Sequence, residues 1–385
     1  MPFDEALLDD EDAITRRDGQ RLLWALATAG GQVRHAVETA DEFGLDRLRG
    51  GELPRSLLIA TDAPPSVTVR VVTRLSCEAT PALAWHGVEL PRWAGPADAL
   101  LIGAVDGRHP RLVALAEQGA RRGLAMAVVA PADSQVAAAA GRAPVHALAT
   151  DHNVRAFRWS VLTPLLQALD ALGVQPLPPS LLLEVADALD QTAEICRPSS
   201  ESFTNPAKAL AAEFAETQPL IAGAGALAGV AARATADALQ LYAGVPAVAV
   251  SLPDGIARAG AVLRGAGPAG NGDPDDFFRD RVEDAGRERA RLLVVGDDGT
   301  ADDPELGPRS GARIQLDEVA ARRAASALHR LAGELGLRSS SVDVPPGAPL
   351  ARFAAATAFG DFTAAYLALG LGLDPGAATP GELAH

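Results

Sequence analysis

The chain is almost devoid of lysine. Lys208 stands alone among 34 basic residues, the rest being arginine. Chemistry that needs an ammonium therefore has one candidate, whereas guanidinium groups are plentiful and stay charged at any accessible pH. Cysteine is nearly as scarce. Cys77 and Cys196 lie far apart and form no C-x-x-C pattern, which excludes a disulfide framework and a thiolate metal site and points to a reducing compartment. Aromatics are only 4% of residues, so the core must be built from Ala, Leu and Val. No apolar run reaches the ~20 residues that a membrane-spanning helix needs, and the richest stretch, Ala364–Leu373, is too short. The acidic opening, Met1–Asp12, has neither the basic nor the apolar region of a secretory signal, so a cytoplasmic protein is expected. Positive charge is in deficit as well. A net charge of −15 argues against nucleic acid and against a membrane surface as partners, leaving only local anion pockets.

What is present is ordinary globular material. At ~100–200 residues per domain, 385 residues predict two domains, or at most three. Residues 1–50 read as a helical extension, with Leu22, Leu23, Leu26 and Val33 at helical spacing. Beyond Arg55, short strand-like runs alternate with helical stretches. Ser56–Thr61, Thr68–Thr73, Leu100–Val105 and Ala125–Ala130 read as strands, and Pro110–Gly123 and Arg155–Leu172 as helices. A proline-rich break at Val174–Pro179 precedes a helix over Ser180–Cys196, with Ser180 expected as its N-cap. The rhythm then restarts. Helices are expected at Asn205–Glu216, Ala226–Tyr242, Leu316–Leu335 and Leu350–Leu371, and strands at Pro219–Ala224, Pro246–Leu252, Ala290–Val295 and Ser339–Val344. Gly265–Asp276 reads as a loop. Strand–helix–strand alternation of this kind implies mainly parallel sheets flanked by helices, duplicated along the chain. The expected division is 1–50 extension, 51–175 first domain, 176–204 connecting helix and 205–385 second domain.

Few motifs carry chemistry by themselves. Gly223, Gly225 and Gly229 are spaced G-x-G-x-x-x-G, one residue longer than a dinucleotide fingerprint, and no acidic residue closes the following strand. A tight strand-to-helix turn explains them better than a nicotinamide site. None of the seven histidines has metal-ligand spacing, so no metal and no cofactor is expected. There is no G-x-S-x-G elbow. His109 stands in a strand-to-helix loop, Asp106–Pro110, of the kind that lies at the carboxyl ends of parallel strands, where ligands bind. A plain polar turn is the competing reading.

Two segments carry a family resemblance. Asn205–Ala211 (NPAKALA) resembles the N-P-A-K-x-L-A start of the second half in the bifunctional phosphoglucose/phosphomannose isomerase family. Asp361–Pro375, with Tyr366 and Asp374, is similar to that family's closing helix. Glu89–Pro91, Asn153–Ala156, Leu220–Gly225, Leu252–Asp254 and Leu292–Gly296 fall in the matching order, so the likeness extends over about residues 50–385. It implies two sugar isomerase (SIS) domains of doubly wound α/β type, a sugar phosphate as ligand and a homodimer.

The resemblance also implies roles. Such enzymes hold phosphate on Ser/Thr-rich loops, shuttle a proton with a glutamate, open the sugar ring with a histidine and stabilise an enediolate with an arginine. Ser66, Thr68, Asp106, Arg108, His109 and Asp254 are the positions that would touch substrate here, and Arg155 is the retained candidate for the arginine. Gln240 stands where the base is expected, and an amide cannot act as one. The histidine position falls in Ala257–Ala259, and no histidine occurs between His152 and His329. The expectation is a phosphosugar-binding relative of glucose-6-phosphate/mannose-6-phosphate isomerases. The alternatives are an active aldose–ketose isomerase using a substitute acid such as Asp237 or Asp254, or a non-catalytic partner of another protein.

Overall fold

Among the described residues the buried strands are short and mainly apolar, helices follow them, and the pairing is parallel throughout. The computed structural model describes residues 3–62, 67–76, 80–149, 153–266, 289–296, 311–342 and 344–377. In chain order the elements are α1 (Glu11–Arg17), α2 (Leu22–Ala27), α3 (Ala29–Glu38), β1 (Leu57–Thr61), α4 (Val67–Leu75), β2 (Ala82–Ala84), β3 (Ala99–Gly103), α5 (Pro110–Arg122), β4 (Ala125–Ala130), α6 (Gln135–Ala139), β5 (Val145–Ala147), α7 (Arg158–Ala171) and α8 (Pro179–Ile195). They continue with α9 (Pro206–Ala215), β6 (Thr217–Ala224), α10 (Ala226–Ala243), β7 (Val248–Leu252), α11 (Ile256–Ala266), β8 (Arg289–Val295), α12 (Gly311–Glu334), β9 (Ser339–Ser341) and α13 (Pro349–Gly370).

The chain divides into two compact units. One comprises Gln20–Gln191 with Gly376–His385, the other Met1–Gly19 with Thr192–Pro375. The first unit holds a five-stranded parallel sheet ordered β2-β1-β3-β4-β5. Every residue of β1 and β3 is buried. Leu58, Leu100, Ile102 and Val128 meet Leu112, Leu115 and Val136 of α5 and α6 on one face, while α4 and α7 cover the other. The order reverses between β1 and β3, which makes the carboxyl ends of these two strands the topological switch point, where open α/β sheets bind ligands. The second unit repeats the plan with β7-β6-β8-β9, again all parallel, reversing between β6 and β8.

Two expectations are corrected. Thr68–Thr73 is not a strand but the middle of α4. Its alternating Val and Thr residues mimic a strand pattern, yet Thr68, Val71 and Val72 also fall on one helical face and are buried. A parallel β1–β2 pair requires a crossover between its strands, so the tertiary context overrides β-propensity. Ser180 does not cap α8. The helix starts at Pro179, and the carbonyl of Pro178 accepts from Leu181 N at 3.0 Å. Proline's fixed φ and missing N–H suit the first helical position. By length and composition α13 passes as a membrane span, but 94% of its most apolar window is buried inside the protein, which makes it a core helix. Most of the Gly265–Asp276 segment lies outside the described residues.

The NPAK segment has a structural explanation. Asn205 caps α9, its Oδ1 accepting from Ala207 N (3.0 Å) and Lys208 N (3.2 Å), and Pro206 takes the first helical position. Lys208 is 1% exposed. Its Nζ donates to the carbonyls of Leu8 (2.5 Å), Pro198 (2.7 Å) and Ser200 (2.6 Å) and lies 5.4 Å from the centroid of the Tyr366 ring. Burial pushes its pKa down, and the carboxylates of Asp9 and Glu11 partly offset this. Replacing Lys208 by Met leaves three carbonyls without their donor. At ~1–3 kcal/mol for each group left unsatisfied in the interior, urea unfolding should show a loss of several kcal/mol; an unchanged midpoint would mean the carbonyls find other donors.

His146, on the edge strand β5, is buried with Phe43 edge-on at 5.4 Å between ring centroids. Burial, with a smaller contribution from the charge of His35, lowers its pKa from 6.5 to about 4. The folded chain therefore keeps this imidazole neutral while the unfolded chain protonates it. Stability from this group is complete above the unfolded value and is lost as pH falls from about 6.5 towards 4, by at most about 3 kcal/mol. Thermal unfolding of His146→Leu should lack that part of the acid slope, and a slope identical to that of the parent would count against the assignment.

Candidate functional site

At the switch point of the first unit, β1 runs into Asp62 and β3 into the turn 104–109. The Asp62 carboxylate accepts the backbone N–H of Asp106 on Oδ2 at 3.0 Å and also binds the N–H of Val105, so the ends of the two strands are stitched together. Gly107 turns the chain at φ +69°, where a Cβ would fall 2.4 Å from that of Ser134. His109 then caps α5, its Nδ1 accepting from Arg111 N at 3.3 Å, which places the proton of the neutral ring on Nε2. The Arg111 guanidinium donates to the carbonyls of Thr61 and, at 3.0 Å, Trp85. An imidazole, a guanidinium and a half-buried carboxyl thus share one crevice.

Their charges are tuned by that enclosure. Burial raises the pKa of Asp62, opposed by its bonds to backbone N–H groups and by nearby His109. Burial lowers that of Arg111, with the Asp62 carboxylate opposing. Chemically, the arrangement holds a guanidinium and an imidazole beside a carboxyl whose pKa is raised. Among the described residues no group of three His, Cys, Asp or Glu side chains could hold a metal ion.

The expected site residues are distributed unevenly. Asp106 and Arg108 are exposed and His109 half-buried, all in the crevice turn. Thr68 is buried in the first turn of α4, and Ser66 lies outside the described residues. Arg155 sits in a short 3-10 turn, Val154–Ala156, with a guanidinium nitrogen donating to the carbonyl of Ala377 at 2.6 Å, while Asn153 Nδ2 donates to Gly376 O at 3.1 Å. This pair fastens the returning end of the chain.

In the second unit Asp254 is exposed after the carboxyl end of β7. Gln240 is in the last turn of α10, and its Nε2 donates at 3.3 Å to the carbonyl of Ala247, just before β7. The two therefore lie at opposite ends of that strand and are not brought together. Asp237 is paired with Arg233 at 2.8 Å. The imidazole of His329 bridges α12 to the edge strand, 3.1 Å from Ser339 Oγ and 3.2 Å from Ser341 Oγ.

The glycine run is a packing device: a Cβ at Gly223 would lie 2.2 Å from the carbonyl oxygen of Ala228, and one at Gly229 would lie 2.5 Å from Ser251 Oγ. Sequence reasoning missed Asp62. The available signal was a carboxylate directly after a buried strand that is apolar up to Thr61, a position that parallel pairing puts in the crevice. Because its folded pKa is raised, the protonated form is the better fit, and stability from it falls as pH rises through the folded value. Asp62→Asn should therefore raise the melting temperature at neutral pH, the gain shrinking in acid; a lower melting temperature at neutral pH would show that the bonds to backbone N–H outweigh burial.

Comparison with known proteins places this geometry. Residues 203–380 match the family model described as the bacterial phospho-glucose isomerase C-terminal SIS domain. No curated protein matches the sequence. Among solved structures the chain is similar to a hypothetical protein from Thermus thermophilus, with TM-score 0.63 and 13% identity over 98% of this chain and 93% of that one. It is similar to tagatose-6-phosphate ketose/aldose isomerase from Escherichia coli, with TM-score 0.58 and 14% identity over 95% and 96%. It is also similar to the C-terminal domain of glucosamine-fructose-6-phosphate aminotransferase from Francisella tularensis, with TM-score 0.55 and 9% identity over 93% and 98%. At such identities the likeness is one of fold. The matched stretch, residues 203–380, is thus a SIS domain of the bacterial phospho-glucose isomerase C-terminal type, and the doubled parallel sheets give the chain as a whole a fold similar to that of the two-domain phosphosugar isomerases.

Proposed function

We propose that the chain binds a sugar phosphate in the β1/β3 crevice and does not isomerise it. The observation that carries this reading is the turn at the switch point, where Arg108 and His109 stand together while Asp62 already occupies the N–H groups of Val105 and Asp106. A phosphate entering there meets a guanidinium and an imidazole rather than open amides, and charge-assisted bonds from such groups are the strong ones. Isomerisation needs a base and an acid on the substrate. Gln240, at the base position by resemblance, is an amide that cannot take a proton and donates to Ala247 O. A homodimer in the cytoplasm belongs to the same proposal.

A second reading rests on Asp62 and His109, a carboxyl with a raised pKa beside an imidazole. It makes the chain an aldose–ketose isomerase with a replacement acid–base pair, recognisable by a bell-shaped pH–rate profile. The binding proposal is tested by calorimetric titration with fructose 6-phosphate and glucose 6-phosphate. Saturable binding is expected, weakened about tenfold or more in Arg108→Glu. Heat traces indistinguishable from buffer, or an affinity untouched by Arg108→Glu, would remove the crevice from consideration.

A further inference from the structure

The first unit has a second depression, at the end of its sheet opposite the crevice. It encloses about 900 Å³, within the ~300–1,000 Å³ of ordinary small-molecule sites. Arg55 precedes β1, Asp98 precedes β3, and Ala125 and Met126 open β4, so the depression sits on the amino ends of these strands. With five residues in β1, roughly 15 Å of strand separates it from Asp62.

Four arginines line it, drawn from two separate stretches of sequence: Arg47, Arg49 and Arg55 on the continuous segment before β1, and Arg142. Two of them are neutralised. Arg55 grips Asp98, 2.7 Å from Oδ2 and 3.1 Å from Oδ1, and that carboxylate also accepts from Ser56 and Gly95. Arg49 lies 3.5 Å from Asp46 and 3.6 Å from Asp170. The other two are not. Arg47 Nη1 donates to the carbonyl of Arg142 at 2.8 Å, which ties their two segments together, and no ion pair links either residue to a carboxylate among the described residues. Glu52 is the remaining acidic residue of the lining. In a chain of net charge −15, a concave patch with uncompensated guanidinium groups is a local inversion of the surface field. Leu48, Met126 and Leu172 supply apolar lining beside it.

We infer that this depression is a second anion site, which takes a small polyanion of the phosphate-ester class between Arg47 and Arg142. Two guanidinium forks suit two phosphoryl groups, because each can bind its oxygens bidentately. The site is independent of the crevice and of any activity there.

The test is calorimetric titration of the full chain with inorganic pyrophosphate, comparing the parent, the exposed double variant Arg47→Glu/Arg142→Glu, and Arg108→Glu in the crevice. Binding is expected in the parent, about tenfold or more weaker in the double variant, retained in Arg108→Glu, and progressively weaker as salt is added. Absence of binding in the parent overturns the inference. So does equal affinity in parent and double variant, or loss in Arg108→Glu alone, which would assign the anion to the crevice.

Discussion

One buried ammonium organises the second unit. Lys208 reaches three backbone carbonyls, those of Leu8 near the chain start and of Pro198 and Ser200 in the approach to α9. Asp9 beside it binds the backbone and hydroxyl of Ser202, and the Tyr366 hydroxyl donates to the carbonyl of Cys196. Carbonyls that would otherwise be buried without donors are thereby satisfied at one point, as interiors demand. The only lysine of the chain is thus committed to architecture. Its ammonium is spent on three backbone carbonyls and does not face a ligand crevice.

Carboxyl, imidazole and guanidinium groups converge where topology says they should. Parallel pairing sends β1 and β3 in the same direction, the strand order reverses between them, and the turns that follow must share a crevice. Asp62, His109 and Arg111 meet there because the sheet leaves them no other place. The corresponding turns of the second unit are filled differently. Its glycines let α10 approach β6 and β7 closely, and its described histidine is held between two serines at the sheet edge. The two units share a plan and differ in where they keep polar side chains.

Much of this was legible in the sequence, for physical reasons. Wholly apolar runs such as Leu57–Ala60 and Ala125–Ala130 are buried on both faces, so they read plainly as parallel strands. The α5 stripe of Leu112, Leu115 and Ala116 marked its inward face. The edge strands β2 and β5 are three residues long, too short to leave a pattern, and α4 was disguised by β-branched residues. In the site, the crevice turn was visible from the strand-to-helix loop around His109. Asp62 was not, because its importance depends on a bond to a turn more than forty positions away, and spacing along the chain does not encode that register. The family resemblance gives Arg155 a substrate-facing role, and in the structure one of its guanidinium nitrogens donates to the carbonyl of Ala377.

The proposed function joins a fold like that of the phosphosugar isomerases to the loss of a working proton shuttle. Deuterium wash-in measures that shuttle directly. Fructose 6-phosphate, incubated with the purified chain in D2O and followed by NMR, should keep its C1 hydrogens at the rate of an enzyme-free control. Deuterium appearing at C1, and disappearing again in Asp62→Asn, would contradict the claim and establish the Asp62–His109 crevice as a proton-transfer site.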